Sequence, residues 1–273
     1  MEDGCPLMLA RQRQARILER VRDAGAVRVA DLVRELGVSD MTIRRDLEIL
    51  QDQGLLEKVH GGATVTTESA LFEPGFAAKS VLQEPEKHAI AEAAVRLVAP
   101  GSAIAVSAGT TTHALARGLI DIPGLTVVTN SVPVAEVLYR AGRPDQTIIL
   151  TGGVRTPSDA LVGPFAVAAL RTVHVDLVFM GVHGMDARTG FTTPNLMEAE
   201  TDRALVDAGS RLVVVADHTK WGVIGISSFA QLDRADVLVS DVGLPADAQD
   251  VLRDSVRELV LVDAVRPARE IAS

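Results

Sequence analysis

A helix pattern close to the N-terminus constrains this chain more than any other feature. The segment VSDMTIRRDLEIL covers residues 38–50 and follows a Gly turn. Ser39 can accept hydrogen bonds from the first free N–H groups of the next helix, and the Asp after it suits the positive end of the helix dipole. Ile43, Leu47 and Leu50 recur at helical spacing. The segment therefore predicts an amphipathic helix that begins at Ser39, packs one stripe inward and leaves an Arg pair outside.

Two further helix patterns and a hairpin pattern surround this segment. Apolar residues at helical spacing mark a helix at residues 17–21 and a second at residues 31–36, which stops at Gly37. Residues 55–59 and 63–67 predict two short strands around a Gly-Gly pair. Three helices followed by a hairpin match a winged helix-turn-helix, whose third helix enters the major groove of DNA. The alternative is a small helical bundle whose charged face is only solvated.

The charge of this N-terminal region is close to neutral. Residues 1–60 hold ten Lys and Arg against eleven Asp and Glu, and the whole chain has a formal net charge of −9. A protein that binds DNA by phosphate attraction alone is basic over its whole domain. We therefore expect selective contacts made by particular side chains. The predicted DNA-contacting residues are Ser39, Met41, Thr42, Arg44, Arg45, Lys58, His60 and Gly61.

The composition is typical of a globular protein with two domains. The chain has 273 residues, of which 47% are hydrophobic and 23% charged. The acidic start lacks the pattern of a signal peptide, and translation begins at Met1 or at Met8. No apolar run is long enough to span a bilayer, so we expect a cytoplasmic protein with no membrane partner. Cys5 is the single cysteine and the six histidines lack metal-site spacing, so neither a metal nor a cofactor is expected.

From residue 86 onward, apolar runs of four to six residues alternate with helical stretches. Val-rich strands that alternate with helices predict an α/β domain with a parallel sheet covered on both faces. The predicted buried strands lie at residues 103–106, 125–129, 147–150, 176–180, 212–216 and 237–240. The predicted organisation is a disordered tail (1–8), a DNA-binding domain (9–67), a linker (68–85), an α/β domain (86–264) and a tail (265–273).

Polar loops follow four of the predicted strands, at the edge where parallel sheets bind ligands. The first loop combines Gly109 with several hydroxyls and leads into a helix N-terminus, an arrangement that suits a phosphate. The loops match neither a Walker A sequence nor a dinucleotide-binding Gly motif. Ordinary helix capping is the alternative for the Ser/Thr-rich loops, and a surface ion pair is the alternative for Asp217 and Lys220. The predicted effector-binding residues are Ser107, Gly109, Thr110, Thr111, Thr112, Thr129, Asn130, Ser131, Gly152, Gly153, Asp217 and Lys220.

The motifs of both halves resemble the DeoR (deoxyribose-operon-repressor) family of bacterial transcription regulators. They include VSDMTIRRDLEILQDQGLLEKVHGGA from residue 38, EKHAIAEAA from 86, AGTTTHALA from 108, VVTNSVPVAEVL from 127, TGG from 151, MGVHGMDARTGFT from 180 and ADHTKWG from 216. The resemblance implies a winged helix-turn-helix followed by a sensor domain with the ribose-5-phosphate isomerase fold. It also implies that the four loops bind a phosphorylated sugar or a related metabolite.

Two departures from the family pattern leave the identity of that metabolite open. The family usually has Asp-Ser before the Gly-Thr-Thr segment, whereas this chain has Ser107 and Ala108. The family also favours Ser-Ser before its Lys, whereas His218 and Thr219 precede Lys220 here. The first departure removes a carboxylate that would bind a sugar hydroxyl.

Two classes of function follow from these patterns. The first is a sequence-specific transcriptional regulator, a repressor of sugar or carbohydrate metabolism genes with a double-stranded DNA operator and a sugar-phosphate effector. One winged domain is too small for tight specific binding, so we expect a homodimer or a higher oligomer; activation instead of repression stays open. The alternative is a sugar-phosphate isomerase-like enzyme with an accessory helix-turn-helix. Its candidate bases are Asp217, Glu198 and Glu200, and the absence of Asp at positions 107 and 108 counts against it.

Overall fold

The structure is a computed structural model that describes residues 10–52, 54–59, 61–64, 75–80 and 82–264. The chain divides into two units, Met1–Leu82 and Gln83–Ser273. Both predicted tails, Cys5, His60 and residues 65–67 of the predicted second wing strand lie outside the described residues.

The first unit contains the three predicted helices and the predicted hairpin. Its elements are α1 (Ala10–Ala24), β1 (Ala26–Arg28), α2 (Val29–Leu36), α3 (Asp40–Asp52), β2 (Glu57–Val59), β3 (Gly62–Thr64) and α4 (Phe76–Ser80). Strands β2 and β3 form the antiparallel hairpin, and β1 pairs with β3 on its other side. Strand β1 is an addition to the prediction, because three residues are too few to show an alternating pattern.

The core of the first unit is the predicted apolar stripe of α3 packed against α1. Ile43 and Leu47 are 0% exposed and Leu50 is 1% exposed, and they share a cluster with Ile17 and Leu18. Burial of each such side chain is worth about 1.5–3 kcal/mol, so this stripe fixes which face of α3 remains outside. Leu82 also packs in this cluster, and α4 lies inside the predicted linker 68–85, so part of that linker belongs to the first unit.

The second unit is a three-layer α/β structure. Its helices are α5 (Glu84–Val95), α6 (Thr110–Leu119), α7 (Val132–Ala141), α8 (Pro164–Leu170), α9 (Leu196–Ala208) and α10 (Ala246–Ser255). Its strands are β4 (Ala103–Val106), β5 (Thr126–Thr129), β6 (Thr147–Leu150), β7 (Val154–Arg155), β8 (Leu161–Val162), β9 (Val175–Gly181), β10 (Gly184–Asp186), β11 (Gly190–Thr193), β12 (Gly209–Val215), β13 (Ser227–Ala230), β14 (Val237–Asp241) and β15 (Leu259–Val262).

Seven of these strands form one parallel sheet in the order β15-β14-β12-β9-β4-β5-β6. Six of them are the predicted strands, with bounds that differ by at most three residues at either end. Strand β15 is an addition, as are the antiparallel sheet β10-β11-β13 and the ribbon β7-β8. The prediction that β6 is buried is wrong, because β6 is an edge strand in which Ile149 is 40% and Leu150 is 44% exposed.

The order of the strands places a crevice at the centre of the sheet. From the neighbouring strands β4 and β9, the chain adds β5 and β6 on one side and β12, β14 and β15 on the other. In open parallel sheets, ligands bind beyond the carboxyl ends of the two strands where the winding direction reverses. The loops after β4 and β9 therefore flank the position where a ligand is expected.

Candidate functional site

The exposed face of α3 begins at a side-chain cap. The hydroxyl Oγ of Ser39 accepts a hydrogen bond from the backbone N–H of Thr42 at 3.2 Å, which confirms the predicted cap. The Thr42 hydroxyl lies 2.8 Å from the same oxygen. Met41 is 80% exposed, and Arg44 and Arg45 are exposed as well. The cap thus fixes the first turn of a helix that presents an apolar side chain and two guanidinium groups to solvent.

Carboxylates of the same unit hold two of the predicted DNA-contacting cations. Arg44 Nε donates to Asp40 Oδ1 at 2.5 Å, and this hydrogen bond raises the pKa of the guanidinium. Lys58 Nζ of β2 donates to Glu48 Oε1 of α3 at 2.9 Å. Arg45 makes no ion pair within the described part of the chain. A phosphate that binds either of these predicted contacts would have to displace Asp40 or Glu48.

A buried ion pair fastens the inner face of α3 to α1. Arg13 Nε donates to Asp46 Oδ2 at 2.5 Å, and Gln14 Nε2 donates to Asp46 Oδ1 at 2.9 Å. The side chains of Arg13 and Asp46 are 10% and 4% exposed. This pair was not predicted, although an Asp immediately before Leu47 of the apolar stripe is a visible signal for it. The pair sets the position of the helix that carries Arg44.

The tip of the wing is held from inside the unit. Gly61 has a φ of 79°, and its carbonyl oxygen accepts a hydrogen bond from Val29 N at 2.9 Å. A Cβ at Gly62 would lie 2.1 Å from the Val27 carbonyl oxygen of β1. Both glycines therefore shape the turn between β2 and β3, and contact with DNA by Gly61 remains a prediction.

The loop after β4 is packed against the end of β9. Ser107 is 1% exposed, and its Oγ accepts a hydrogen bond from Gly181 N at 3.0 Å, so this predicted effector residue joins the two loops that flank the crevice. Gly109 has a φ of 151° and directly precedes α6, which begins at Thr110. The Thr112 hydroxyl donates to the Gly109 carbonyl at 3.0 Å. The first turn of α6 thus borders the crevice.

The loop after β5 is buried and serves as a support. Thr129, Asn130 and Ser131 are each at most 1% exposed. Thr129 Oγ1 donates to the Val106 carbonyl at 2.6 Å, and Ser131 Oγ accepts from the first turn of α7. Asn130 Oδ1 accepts from Ala108 N at 3.0 Å. Asn130 thus holds the first loop, whereas Thr129 bonds to the end of β4 and Ser131 caps α7. Direct contact of these three predicted effector residues with a ligand remains a prediction.

The glycines after β6 allow the chain to fold back closely. Gly153 has a φ of 129°, and a Cβ there would lie 2.6 Å from the Val162 carbonyl oxygen. A Cβ at Gly152 would meet no atom within 4 Å, although its φ of 77° also favours glycine. The pair therefore brings the β7-β8 ribbon against the loop after β5, where Leu161 N donates to the Asn130 carbonyl at 2.7 Å.

Glu198, one candidate base of the enzyme alternative, is committed to a structural role. It is 8% exposed, and Oε1 accepts hydrogen bonds from Thr156 and Ser158 at 3.0 and 2.8 Å. Oε2 accepts from Thr193 at 2.8 Å. Because its carboxylate accepts hydrogen bonds from three hydroxyl groups, Glu198 holds the β7-β8 segment against α9. Glu200, the second candidate, lines a different cavity of about 400 Å³ beside α8 and α9.

The fourth predicted loop follows β12 and contains a short 3-10 turn at His218–Lys220. Asp217 is 1% exposed and caps this turn, accepting from the backbone N–H of Thr219 at 3.1 Å and from its hydroxyl. The next residue, His218, directs Nδ1 at Asp241 Oδ1 of β14 over 2.7 Å. This imidazole–carboxylate pair was absent from the predicted site, because the neighbouring position of β12 and β14 is not visible in the sequence.

The hydrogen bond between His218 and Asp241 shifts the pKa of both groups. The hydrogen bond to Asp241 raises the pKa of the His218 imidazole, and burial opposes this effect. Burial disfavours the ionised carboxyl of Asp241, but hydrogen bonds from the His218 side chain and backbone outweigh it and lower its pKa. The pair therefore favours a charged imidazole beside a charged carboxylate.

The sheet brings all four predicted loops to one edge. The loops after β12, β9, β4, β5 and β6 follow one another there in strand order. Gly181 at the end of β9 and His183 in the loop after it also flank the crevice, and neither is among the predicted site residues. The segment MGVHG was the available signal for them.

The sequence matches two family models, one for each unit of the chain. Residues 13–69 match a family model described as the DeoR-like helix-turn-helix domain, and residues 82–242 match the DeoR C-terminal sensor domain. The chain belongs to the DeoR family. Among its DeoR relatives, the HTH-type transcriptional regulator GlpR of Haloferax volcanii is 37% identical over 94% of this chain and 99% of its own. GolR of Listeria innocua is 36% identical over 84% and 90%, and the transcriptional repressor AccR of Agrobacterium fabrum is 33% identical over 85% and 89%.

Solved structures resemble parts of this DeoR chain at low identity. Ribose 5-phosphate isomerase A from Neisseria gonorrhoeae has a TM-score of 0.36 and 17% identity, covering 50% of this chain and 52% of its own. The translation initiation factor eIF-2B of Pyrococcus horikoshii has a TM-score of 0.41 and 13% identity, covering 80% and 74%. TM-scores this low do not indicate that the DeoR chain shares the activity of either protein.

The family membership decides between the two predicted classes of function. The relatives named above are transcriptional regulators, and the DeoR protein described here is a DNA-binding transcriptional regulator with a sensor domain, not an isomerase. Within the described residues, no helix is both long and apolar enough to cross a membrane. The same residues contain no cluster of three or more His, Cys, Asp or Glu that would hold a metal ion.

Proposed function

We propose that this DeoR regulator is a repressor of sugar or carbohydrate metabolism genes, and that a phosphorylated sugar or a related metabolite releases it from DNA. One observation carries the proposal. The loops rich in glycine and hydroxyl groups lie along one edge of a parallel sheet, in the same chain as a capped helix with exposed arginines. The name of its relative AccR, a transcriptional repressor, supports the direction of control.

We assign the DNA contacts to α3 and the wing. Arg44 and Arg45 contact guanine edges or phosphates, Thr42 and Met41 lie beside them on α3, and Lys58 contacts the backbone. A bidentate Arg–guanine contact discriminates against a wrong base by about 1–3 kcal/mol. On binding DNA, Arg44 gives up its ion pair with a carboxylate of α3, and so does Lys58. The interface therefore gains little from DNA of random sequence, which lacks the matching base.

We further propose that the protein acts in the cytoplasm as a homodimer or a higher oligomer on repeated half-sites. One winged domain offers a single recognition helix, and tight operators are usually read by two or more such helices. Light scattering at the concentrations used for DNA binding tests this, and a monomeric mass for the operator complex would contradict it.

The effector acts through linkage between the two ligands. A metabolite that binds the DNA-free arrangement more tightly weakens DNA binding, and DNA weakens metabolite binding by the same factor. The proposed contacts are the first turn of α6 at Gly109–Thr111 and, after β12, Lys220. A metabolite with equal affinity for both arrangements has no effect on DNA binding.

The DNA proposal is tested by fluorescence anisotropy at stated salt, with the DNA upstream of the gene for this protein. The wild type is expected to bind specifically, and Arg44→Ala combined with Arg45→Ala is expected to lose at least tenfold in affinity. The matched control is Arg253→Ala, because Arg253 is an exposed helical arginine paired with Asp250 in the second unit. Unchanged affinity in the double variant would refute the assignment.

The effector proposal is tested in the same assay with a panel of aldose and ketose phosphates. At least one of them is expected to release the wild type from its operator. Lys220→Ala is expected to bind DNA normally and to lose this response, since a point charge for the phosphate is removed. A normal response in the variant would exclude Lys220 from the site.

A further inference from the structure

The imidazole of His218 is held in one orientation by a buried carboxylate. Asp241 is 2% exposed, and its Oδ1 lies 2.7 Å from His218 Nδ1. Its Oδ2 accepts a hydrogen bond from the backbone N–H of His218 at 2.8 Å, and Oδ1 also accepts one from the backbone N–H of Gly243 at 2.9 Å. A carboxylate acceptor at Nδ1 places the proton on that nitrogen and fixes the plane of the ring.

The other ring nitrogen is available to a ligand. Nε2 of His218 has no hydrogen-bond partner among the described residues, and the side chain is 30% exposed. His218 follows β12, which is next to β9 and therefore one strand away from the crevice. This open ring nitrogen lies at the same sheet edge as the loops that contain Gly109 and Lys220.

The backbone at Gly243, just after β14, lies close to the His218 ring. A Cβ at Gly243 would lie 2.7 Å from His218 Nδ1 and 2.8 Å from His218 Cγ. Any side chain at position 243 would displace the imidazole or Asp241. The close approach of the Gly243 backbone thus accommodates the ring in this orientation.

We propose that His218 is an effector-binding residue whose Nε2–H donates to an anionic oxygen of the phosphorylated effector, and that Asp241 is its positioning residue. The proposal rests on the proposed function and adds a specific contact to it. The charged groups that face the imidazole are Asp241 of β14, Asp217 at the end of β12 and Glu86 of α5, and all three raise its pKa. A protonated ring is the form that donates from Nε2, so binding weakens as pH rises through the pKa of His218.

The test is a pH titration of the histidine ring nitrogens by NMR on the full-length protein with labelled histidine. Saturation with inorganic phosphate or ribose 5-phosphate is expected to raise the pKa of His218 by about 0.5–1 unit, because a tenfold preference for the protonated ring equals one unit. Ribose without phosphate is expected to leave it unchanged. A purely structural imidazole would keep the same pKa with and without the anions, and that result would overturn the proposal.

Variants provide a second measurement. His218→Gln is expected to lower the affinity for ribose 5-phosphate about tenfold at pH 6 and to flatten its pH dependence. Asp241→Asn is expected to lower both the pKa of His218 and the affinity. The matched control is His88→Gln on α5, where the histidine is exposed. If the control alters the affinity as much as His218→Gln does, the assignment is wrong.

The outcomes separate this inference from the proposed function. Release of DNA by a sugar phosphate together with an unmoved His218 pKa would overturn this contact alone. If neither anion binds and no sugar phosphate releases DNA, the contact and the effector class both fail.

Discussion

Removal of the Asp46 carboxylate is expected to destabilise the DNA-binding unit strongly. Asp46→Ala removes the carboxylate that accepts hydrogen bonds from Arg13 and Gln14, at a site where the Arg13 side chain is 10% exposed. Loss of one partner of a buried ion pair costs about 3–5 kcal/mol. The total stability of a small domain is on the order of 5 kcal/mol, so α3 in this variant is expected to lie near its unfolding midpoint.

Hydrogen exchange is the suitable assay for this prediction. The single Trp and the single Tyr of the chain, Trp221 and Tyr139, both lie in the second unit, so their fluorescence does not report on α3. Protection of the α3 amides is expected to fall by the factor that corresponds to about 3 kcal/mol, roughly a hundredfold or more. The affinity for DNA is expected to fall with the folded fraction.

Two variants control for other causes. Asp52→Ala changes an exposed Asp at the end of the same helix and is expected to alter protection by less than about 0.5 kcal/mol. Arg13→Met combined with Asp46→Leu replaces the pair by apolar groups and is expected to recover most of the loss. Protection of α3 in Asp46→Ala within 1 kcal/mol of the wild type, roughly a fivefold change, would refute the reasoning.

Three further outcomes are expected. Gly62→Ala places a Cβ 2.1 Å from a carbonyl oxygen of β1, so the wing is displaced and anisotropy shows a loss of operator affinity. Gly153→Ala places a Cβ 2.6 Å from a β8 carbonyl oxygen and is expected to abolish the sugar-phosphate response but not DNA binding; an unaltered response would contradict this. Hydrogen bonds from Arg143 and from Gly124 N lower the pKa of Asp145 to about 2. Its stabilising contribution is therefore present above pH 3.8 and lost as pH falls through about 2, which an NMR titration of its carboxyl checks.

Local patterns predicted the elements that depend on nearby residues. The Ser39 cap and the stripe of Ile43, Leu47 and Leu50 are set within one helix, and the structure confirms them. The strands β1 and β7 are two or three residues long and exist because a distant segment pairs with them. The sequence contains no local pattern that identifies such strands.

The candidate site was predictable as a set of loops but not as a geometry. Polar residues after apolar runs identified the loops that contain Gly109 and Lys220. The position of the crevice depends on strand order, which the sequence does not reveal, and so Gly181 was missed. The pairing of His218 with Asp241 joins residues 23 positions apart, in the turn after β12 and at the end of the neighbouring strand β14, and only the folded sheet brings them together.

The internal pairing of Arg44 and Lys58, two of the proposed DNA contacts, has a consequence for how the regulator searches a genome. If Arg44 and Lys58 make the proposed DNA contacts, their carboxylate partners lower the number of counterions released on random DNA, and we expect each encounter to be brief. Sliding along the duplex then covers short distances only. We therefore expect the search to proceed mostly by free diffusion between encounters, so that the time to find an operator depends on the number of copies in the cell.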